Sequence, residues 1–168
     1  GEHLNTGTLL RPLVKGKVLL HYGGGSIIRT GLLGRIQESL QAAGINYIEL
    51  GGVKPNPSVS LVRDGIELCR REQVSLVLAV GGGSVIDSAK GIAIGVPNKE
   101  DVWELYKHKG SVPEHNPLPV ATVLTLPAAG SENSPNTVLS DEKPRRKLGF
   151  KHMMLRPVLS IVDPTLFL

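Results

Sequence analysis

Apolar and polar residues follow one another along the chain in blocks that predict strands and helices in turn. Runs of consecutive apolar residues, such as Ser75–Val80, are typical of strands that are buried on both faces of a parallel sheet. Between these runs, apolar residues recur at helical spacing. The predicted strands are Val18–Tyr22, Tyr47–Leu50, Ser75–Val80 and Val120–Leu126, with shorter ones at Thr137–Leu139, Leu148–Phe150 and Val158–Val162.

Three helices are predicted between the first four strands. The first is Thr30–Ala43, which Gly44 closes, and the second begins after Ser58 as its N-cap. The third is Val85–Ile94, whose apolar content predicts burial, and a shorter helix or turn is expected at Asp101–Tyr106. Because strands and helices alternate, the strands pair in parallel through right-handed crossovers. The sequence therefore predicts a Rossmann-like α/β fold, with a mostly parallel twisted sheet and helices on both faces.

Length, charge and cysteine usage narrow the classes of partner. The 168 residues suffice for one domain, and the one cysteine, Cys69, fits a reducing compartment, so we expect a cytoplasmic protein. No apolar run is long enough to span a membrane, and no signal peptide is visible. A net charge of +4 with 4% aromatic residues does not favour nucleic acid. A small anionic ligand needs less positive charge than nucleic acid does, so it is compatible with this net charge.

Two GGGS runs carry the strongest chemical signal. Gly23–Ser26 follows the first predicted strand and Gly81–Ser84 follows the third, each just before a predicted helix. Backbone N–H groups at a helix N-terminus bind anions, and glycine lets a phosphate approach the main chain. Neither run matches G-x-G-x-x-G, because isoleucine stands at positions 28 and 86. The runs predict phosphate contact at one loop at least.

The residues alone leave two placements of a dinucleotide open. If Gly23–Ser26 holds the diphosphate, Glu49 in the next strand would bind the ribose 2′-OH and select NAD. If Gly81–Ser84 holds it, the first loop faces the adenosine end. Gly24, Gly25 and Ser26 would then offer donors to a 2′-phosphate, with Arg29 nearby, and the ligand would be NADP.

Several motifs in a fixed order resemble the N-terminal domain of the iron-containing (group III) alcohol dehydrogenases, in particular the butanol dehydrogenase-like branch that uses NADPH. The resemblance implies the dehydroquinate synthase-like version of the Rossmann-like fold. The matching segments are Tyr22–Ser26 with Thr30-Gly31, Gly51–Val53 with Pro55-Asn56-Pro57, Ala79–Asp87 with Lys90, Thr125–Glu132, and Pro157 with Asp163-Pro164.

The resemblance implies a role for individual residues. The second GGGS would hold the diphosphate through Gly82, Gly83 and Ser84, which favours the second placement. NAD-using members carry Asp where Gly24 stands, so NADP(H) is the expected cofactor. The remaining implied cofactor residues are Asn56 beside the cofactor, Asp87 near the nicotinamide or substrate, Thr125 on the adenine–ribose side, Val138 flanking the cofactor, and Lys147 reaching the ribose.

Two departures from the family pattern concern the metal and the helix that carries Asp87. The family binds a divalent metal, iron or zinc, through one Asp and three His of a helical C-terminal domain, and the five histidines here lack that spacing. We therefore expect residues 1–162 to form a dinucleotide-binding domain and residues 163–168 to begin a linker to an absent metal-binding domain. An edge strand before Gly1 is also expected to be missing. Lys90, one turn after Asp87, is interpreted as its ion-pair partner.

These observations favour the NADP(H)-binding domain of a metal-dependent alcohol dehydrogenase or aldehyde reductase. Hydride would pass between the nicotinamide and a primary alcohol or aldehyde, and this chain alone would catalyse little. The alternatives are the cofactor domain of a glycerol dehydrogenase-like enzyme and a non-catalytic nucleotide-binding module. Without a second domain, exposed apolar surface would favour a homodimer or self-association.

Overall fold

The computed structural model describes residues 5–108, 112–125, 130–141 and 146–162, apart from the side chain of Ser26. Seven strands are present in this part of the chain: β1 (Lys17–Tyr22), β2 (Tyr47–Leu50), β3 (Val74–Gly81), β4 (Val120–Leu124), β5 (Asn136–Asp141), β6 (Arg146–Lys151) and β7 (Leu159–Val162). The α-helices are α1 (Thr6–Leu10), α2 (Gly25–Arg29), α3 (Leu32–Ala42), α4 (Val59–Glu72), α5 (Gly83–Gly95) and α6 (Val102–Lys107).

Five strands form one parallel sheet in the order β2-β1-β3-β4-β7, and β5 and β6 form an antiparallel hairpin. Successive side chains of a strand point to opposite faces. In β3, Val77 packs into the apolar cluster that contains α4, α5 and α6, whereas Leu78 packs into the cluster that contains α1 and α3. Both faces of the sheet are thus covered by helices, and the predicted fold class is confirmed.

Helices α4 and α5 pack closely through two reciprocal glycine–isoleucine contacts. A Cβ atom placed on Gly65 of α4 would overlap Ile92 of α5, and one placed on Gly95 of α5 would overlap Ile66 of α4. The two helices therefore cross at a separation that only glycine allows. This contact fixes the position of α5, whose first turn lies at the candidate site.

The predicted helix Thr30–Ala43 is wrong at its start. The structure has two helices here, α2 and α3, and Gly31 between them adopts a left-handed conformation with φ of 77°. A helix cannot continue through that conformation, so Thr30 lies outside both helices. Gly44 follows the end of α3, and Ser58 Oγ caps α4 by accepting from Leu61 N, both as predicted.

Other element boundaries differ from prediction by a few residues. Helix α5 begins inside the second glycine run, because Gly82 is its N-cap. Strand β4 ends at Leu124, and Leu126 lies outside the described residues. The short strands predicted near Thr137 and Leu148 are longer and pair with each other, and α1 was not predicted. No helix in the described ranges has the length and apolar character needed to cross a membrane.

Candidate functional site

The two glycine runs lie side by side at the carboxyl edge of the sheet. Strands β1 and β3 pair in parallel with Tyr22 opposite Val80, so the loops that follow them leave the sheet together. A Cβ placed on Gly23 would be only 3.6 Å from Val85 Cγ2 in α5. In open α/β sheets, ligands bind at this edge, where the strand order reverses.

The second glycine run forms an open cradle, which consists of Gly82, Gly83 and Ser84, at the start of α5. A Cβ placed on Gly82 would meet no atom within 4 Å, and Gly82, Gly83 and Ser84 are all partly exposed. Gly81 is different, because its φ is 155° and a Cβ there would lie 2.6 Å from Val85 Cγ2. The N–H groups in the first turn of this 13-residue helix lack partners within the helix. This turn has the space and the donors to hold a phosphate.

Two side chains border this cradle from the loops after β4. The backbone N–H of Thr125 donates to Gly81 O at 3.1 Å, which places Thr125 beside the second glycine run. Ser131 was not predicted, yet its Oγ would be 3.7 Å from a Cβ on Gly83. The signal available in the sequence was the pair Gly130-Ser131, which follows a predicted strand, Val120–Leu126, that ends at the same edge of the sheet.

The first run is flanked by a cation. Gly24 is exposed and a Cβ on it would meet nothing within 4 Å. A Cβ on Gly25 would lie 2.6 Å from Arg29 Nη1, so the guanidinium rests against this glycine. Ser26 lies in α2, and its side chain is outside the described part of the structure.

Glu49, the alternative ribose ligand, is already engaged. Gln37 Nε2 donates to Glu49 Oε1 at 2.9 Å, and the Tyr22 hydroxyl donates to the same carboxylate. Burial, followed by the charge of Glu49, raises the pKa of Tyr22, which keeps this donor protonated. The carboxylate is thus held at the edge strand by two neighbouring side chains.

Four of the predicted residues form two hydrogen-bonded pairs, and one residue of these pairs, Asp87, lies in α5. Lys147 Nζ donates to Asn56 Oδ1 at 3.1 Å, and the Val138 N–H donates to the Asp87 carboxylate. The pKa of Asp87 is raised to about 6 by burial, although Lys90, the Val138 N–H and Lys147 act in the opposite direction. The Asp87 carboxyl group therefore lies one turn along α5 from the glycine cradle. The exposed side chains of Lys147 and Asn56 lie nearby.

Lys90 does not pair with Asp87 as the sequence was interpreted. Its buried ammonium donates to the main-chain oxygens of Ser131, Ser134 and Asn136, which use all three of its N–H groups. Burial lowers the pKa of Lys90 to about 8, while the charges of Asp87 and Glu132 oppose that shift. Asp87 thus acts on Lys90 through its electric field.

Two glycine positions leave room for a ligand, because a Cβ on Gly82 or on Gly24 would meet no atom within 4 Å. Within the described ranges, no three His, Cys, Asp or Glu side chains are grouped to hold a metal ion.

Known proteins resemble the chain over almost its whole length. NADH-dependent butanol dehydrogenase A of Clostridium acetobutylicum is 45% identical over 149 residues, which are 89% of this chain and 38% of that protein. The NADPH-dependent aldehyde reductase YqhD of Escherichia coli is 37% identical, over 88% of this chain and 38% of its own length. The solved structure of NADH-dependent butanol dehydrogenase A from Thermotoga maritima superposes with a TM-score of 0.93 and 39% identity, over 99% of this chain and 41% of that one.

The chain therefore spans about two fifths of the length of these relatives. A family model described as iron-containing alcohol dehydrogenase matches residues 1–164. The match includes both glycine runs, the Asn56 turn and the hairpin that carries Lys147. On this match and on the identities above, the chain belongs to the iron-containing alcohol dehydrogenase family.

Proposed function

We propose that the chain binds NADP(H), with the diphosphate on the first turn of α5 at Gly82, Gly83 and Ser84. The observation that carries the proposal is the open cradle at Gly82, which lies at the N-terminus of a long helix and at the carboxyl edge of the sheet. Each feature favours an anion, and the three coincide.

The adenosine end is proposed to lie at the first glycine run, with the 2′-phosphate beside Gly24, Gly25, Ser26 and Arg29. Arg29 supplies a positive charge and fixed N–H donors, which suit a phosphate. Glu49 is held by Gln37 and Tyr22, so it is less available for a ribose hydroxyl than a free carboxylate would be. This arrangement supports NADP(H) over NAD(H).

The nicotinamide half is proposed to extend toward Asn56, Asp87, Val138 and Lys147, with Thr125 on the adenine–ribose side. The hydrogen bond from Lys147 to Asn56 holds the hairpin beside the loop before α4, and a bound ribose hydroxyl could accept from the same ammonium. Asp87 offers a carboxylate at neutral pH, because its pKa of about 6 lies below that range.

Within the longer proteins of this family, such a domain would serve an alcohol dehydrogenase or aldehyde reductase. The bound cofactor supplies or accepts a hydride at the nicotinamide. This chain's residues would bind and orient it, and the metal would be held by residues outside those described here. The proposed substrates are primary alcohols and aldehydes, as the names of the relatives suggest.

Titration calorimetry of the purified chain with NADPH and with NADH tests the proposal. We expect NADPH to bind at least tenfold more tightly. Gly82→Ala should abolish binding, because its methyl group would occupy the cradle. Gly34→Ala in α3 is the matched control, since a Cβ there also meets nothing within 4 Å, and it should bind normally. No binding of either nucleotide overturns the proposal, and tighter NADH binding overturns the cofactor preference alone.

A further inference from the structure

Lys90 is a buried cation with a specific set of partners. Its side chain is 0% exposed, and Nζ lies 2.8 Å from Ser131 O, 2.6 Å from Ser134 O and 2.9 Å from Asn136 O. A lysine is rarely buried unless its ammonium is fully satisfied, as it is here. All three oxygens belong to one segment, residues 131–136, which connects β4 to the hairpin.

This segment borders the glycine cradle. Ser131 Oγ would be 3.7 Å from a Cβ on Gly83, so the hydroxyl stands beside the first turn of α5. Lys90 itself lies in α5, two turns after Gly83, and long helical side chains lean toward the N-terminus of their helix. The ammonium therefore connects the helix that forms one side of the cradle with the segment that forms the other.

A second contact joins α5 to β5, just after this segment. Thr137 Oγ1 donates to Asp87 O at 2.8 Å, and the Tyr106 hydroxyl lies 3.0 Å from Thr137 Oγ1. This contact orders the start of β5 but leaves Ser131 six residues away. Ser131 O also accepts from Ser134 N, and Ser160 Oγ of β7 donates to Glu132 O, but among the contacts described the Lys90 ammonium is what joins the main chain at Ser131 to α5.

We propose that Lys90 is a positioning residue that holds residues 131–136 against α5, so that the Ser131 hydroxyl donates to a phosphate oxygen of the bound dinucleotide. The inference rests on the proposed function, because it assigns a further binding residue, Ser131, to the same site. A lysine suits the task since its three N–H groups match three converging carbonyls, which an apolar residue would leave without partners. The positive charge of the Lys90 ammonium also lies close to the first turn of α5, where the phosphate is proposed to bind.

Arg70 of α4 provides a control whose contacts lie at the C-terminal end of α5. Its guanidinium donates to Val96 O, Gly95 O and Asn98 O at 3.0, 2.9 and 2.6 Å, so it also satisfies three main-chain carbonyls. Arg70→Met and Lys90→Met each remove one cation and three hydrogen bonds to main-chain oxygens. They differ in burial, because Arg70 is exposed and Lys90 is buried, and in whether the lost contacts border the cradle.

The test is NADPH affinity, measured by calorimetry on variants whose folded state is first confirmed by circular dichroism. We expect Lys90→Met to weaken binding at least tenfold, Arg70→Met less than twofold, and Lys90→Arg to recover part of the loss. Ser131→Ala should weaken binding about fivefold in the unsubstituted chain and have no further effect in Lys90→Met. That loss of additivity would show that Lys90 acts through Ser131.

The outcomes separate this inference from the proposed function. If the unsubstituted chain binds no nucleotide, the proposed function fails and the inference with it. If it binds but Lys90→Met and Arg70→Met bind equally well, only the inference fails. Should Lys90→Met not fold, Ser131→Ala decides alone, and unchanged affinity in that variant overturns the inference.

Discussion

Lys147 and Asn56 are joined by a hydrogen bond of 3.1 Å, although 91 positions separate them in the chain. The hairpin brings them together: Ser140, opposite Lys147 in the register, donates its N–H to Pro57 O at 2.9 Å. Asn56 adopts a left-handed conformation, with φ of 57°, between two prolines. The amide is therefore presented by a rigid turn, and the lysine is held above it.

Lys147→Met should lower NADPH affinity about tenfold, or by about 1.4 kcal/mol, because a charged donor to Asn56 and, as proposed, to the ribose is lost. Lys151→Met is the control, since Lys151 is an exposed lysine in the same strand with the same charge. Calorimetry at fixed ionic strength measures both. An equal loss in the two variants would mean that only the overall charge matters.

Gly24→Asp should reverse the cofactor preference. The new carboxylate would repel a 2′-phosphate and accept from a 2′-hydroxyl, and the position has room for a side chain. We expect NADPH affinity to fall at least tenfold while NADH affinity rises. Competition between the two nucleotides on one sample measures the ratio, with Gly34→Asp as control. An unchanged ratio would place the 2′-phosphate elsewhere.

Gly81→Ala should destabilise the chain by about 2 kcal/mol, because its φ of 155° disfavours a side chain and the methyl group would meet Val85 Cγ2 at 2.6 Å. Gly82→Ala should unfold like the unsubstituted chain, since a methyl group there meets nothing. Urea unfolding followed by circular dichroism separates the two. Equal stabilities would contradict the assigned division between a steric and a ligand-binding glycine.

His21 should make the chain less stable at acid pH. It is fully buried, with Nδ1 2.7 Å from Leu50 O and Nε2 2.8 Å from Ser88 Oγ, and burial lowers its pKa to about 4. Between pH 6.5 and 4 the unfolded chain binds the proton and the folded chain does not. The free energy of unfolding should therefore fall by about 3 kcal/mol across that interval. His21→Asn should lack this contribution when denaturant curves are compared at each pH.

Asp87 should act in the opposite direction. Its pKa of about 6 in the folded chain exceeds the ordinary pKa of 3.8 of an aspartate side chain, so the folded state binds the proton more tightly between these values. Stability from this group is present at low pH and is lost as pH rises to 6. Asp87→Asn should be more stable than the unsubstituted chain at pH 7 and equally stable near pH 3. A constant difference across the range would contradict this assignment.

The sequence correctly predicted those features of the fold that a few consecutive residues determine. The apolar run of β3, the two glycine loops and the Ser58 cap each follow from a few consecutive residues, and they place both glycine loops at the carboxyl edge of the sheet. The break at Gly31 was missed because apolar residues recur at helical spacing on from this position, at Leu32, Leu33, Ile36 and Leu40.

Contacts between distant parts of the chain were harder to predict. Lys90 and its carbonyl partners are 41 to 46 residues apart, and main-chain oxygens leave no trace in residue type. From helical spacing alone, the sequence predicted an ion pair between Lys90 and Asp87 instead. The contact between Asn56 and Lys147 was not predicted, since no local pattern joins a turn to a distant hairpin and the family resemblance implied only a separate cofactor role for each.

The reciprocal glycine–isoleucine contacts between α4 and α5 also bear on how this site can change. Because a Cβ on Gly65 or on Gly95 would already overlap an isoleucine of the facing helix, α5 cannot slide or tilt to suit a ligand of another length. Attempts to redesign cofactor choice should therefore randomise the turns around Gly24 and Asn56, while libraries that vary the crossing of these two helices should yield unfolded protein instead of new selectivity.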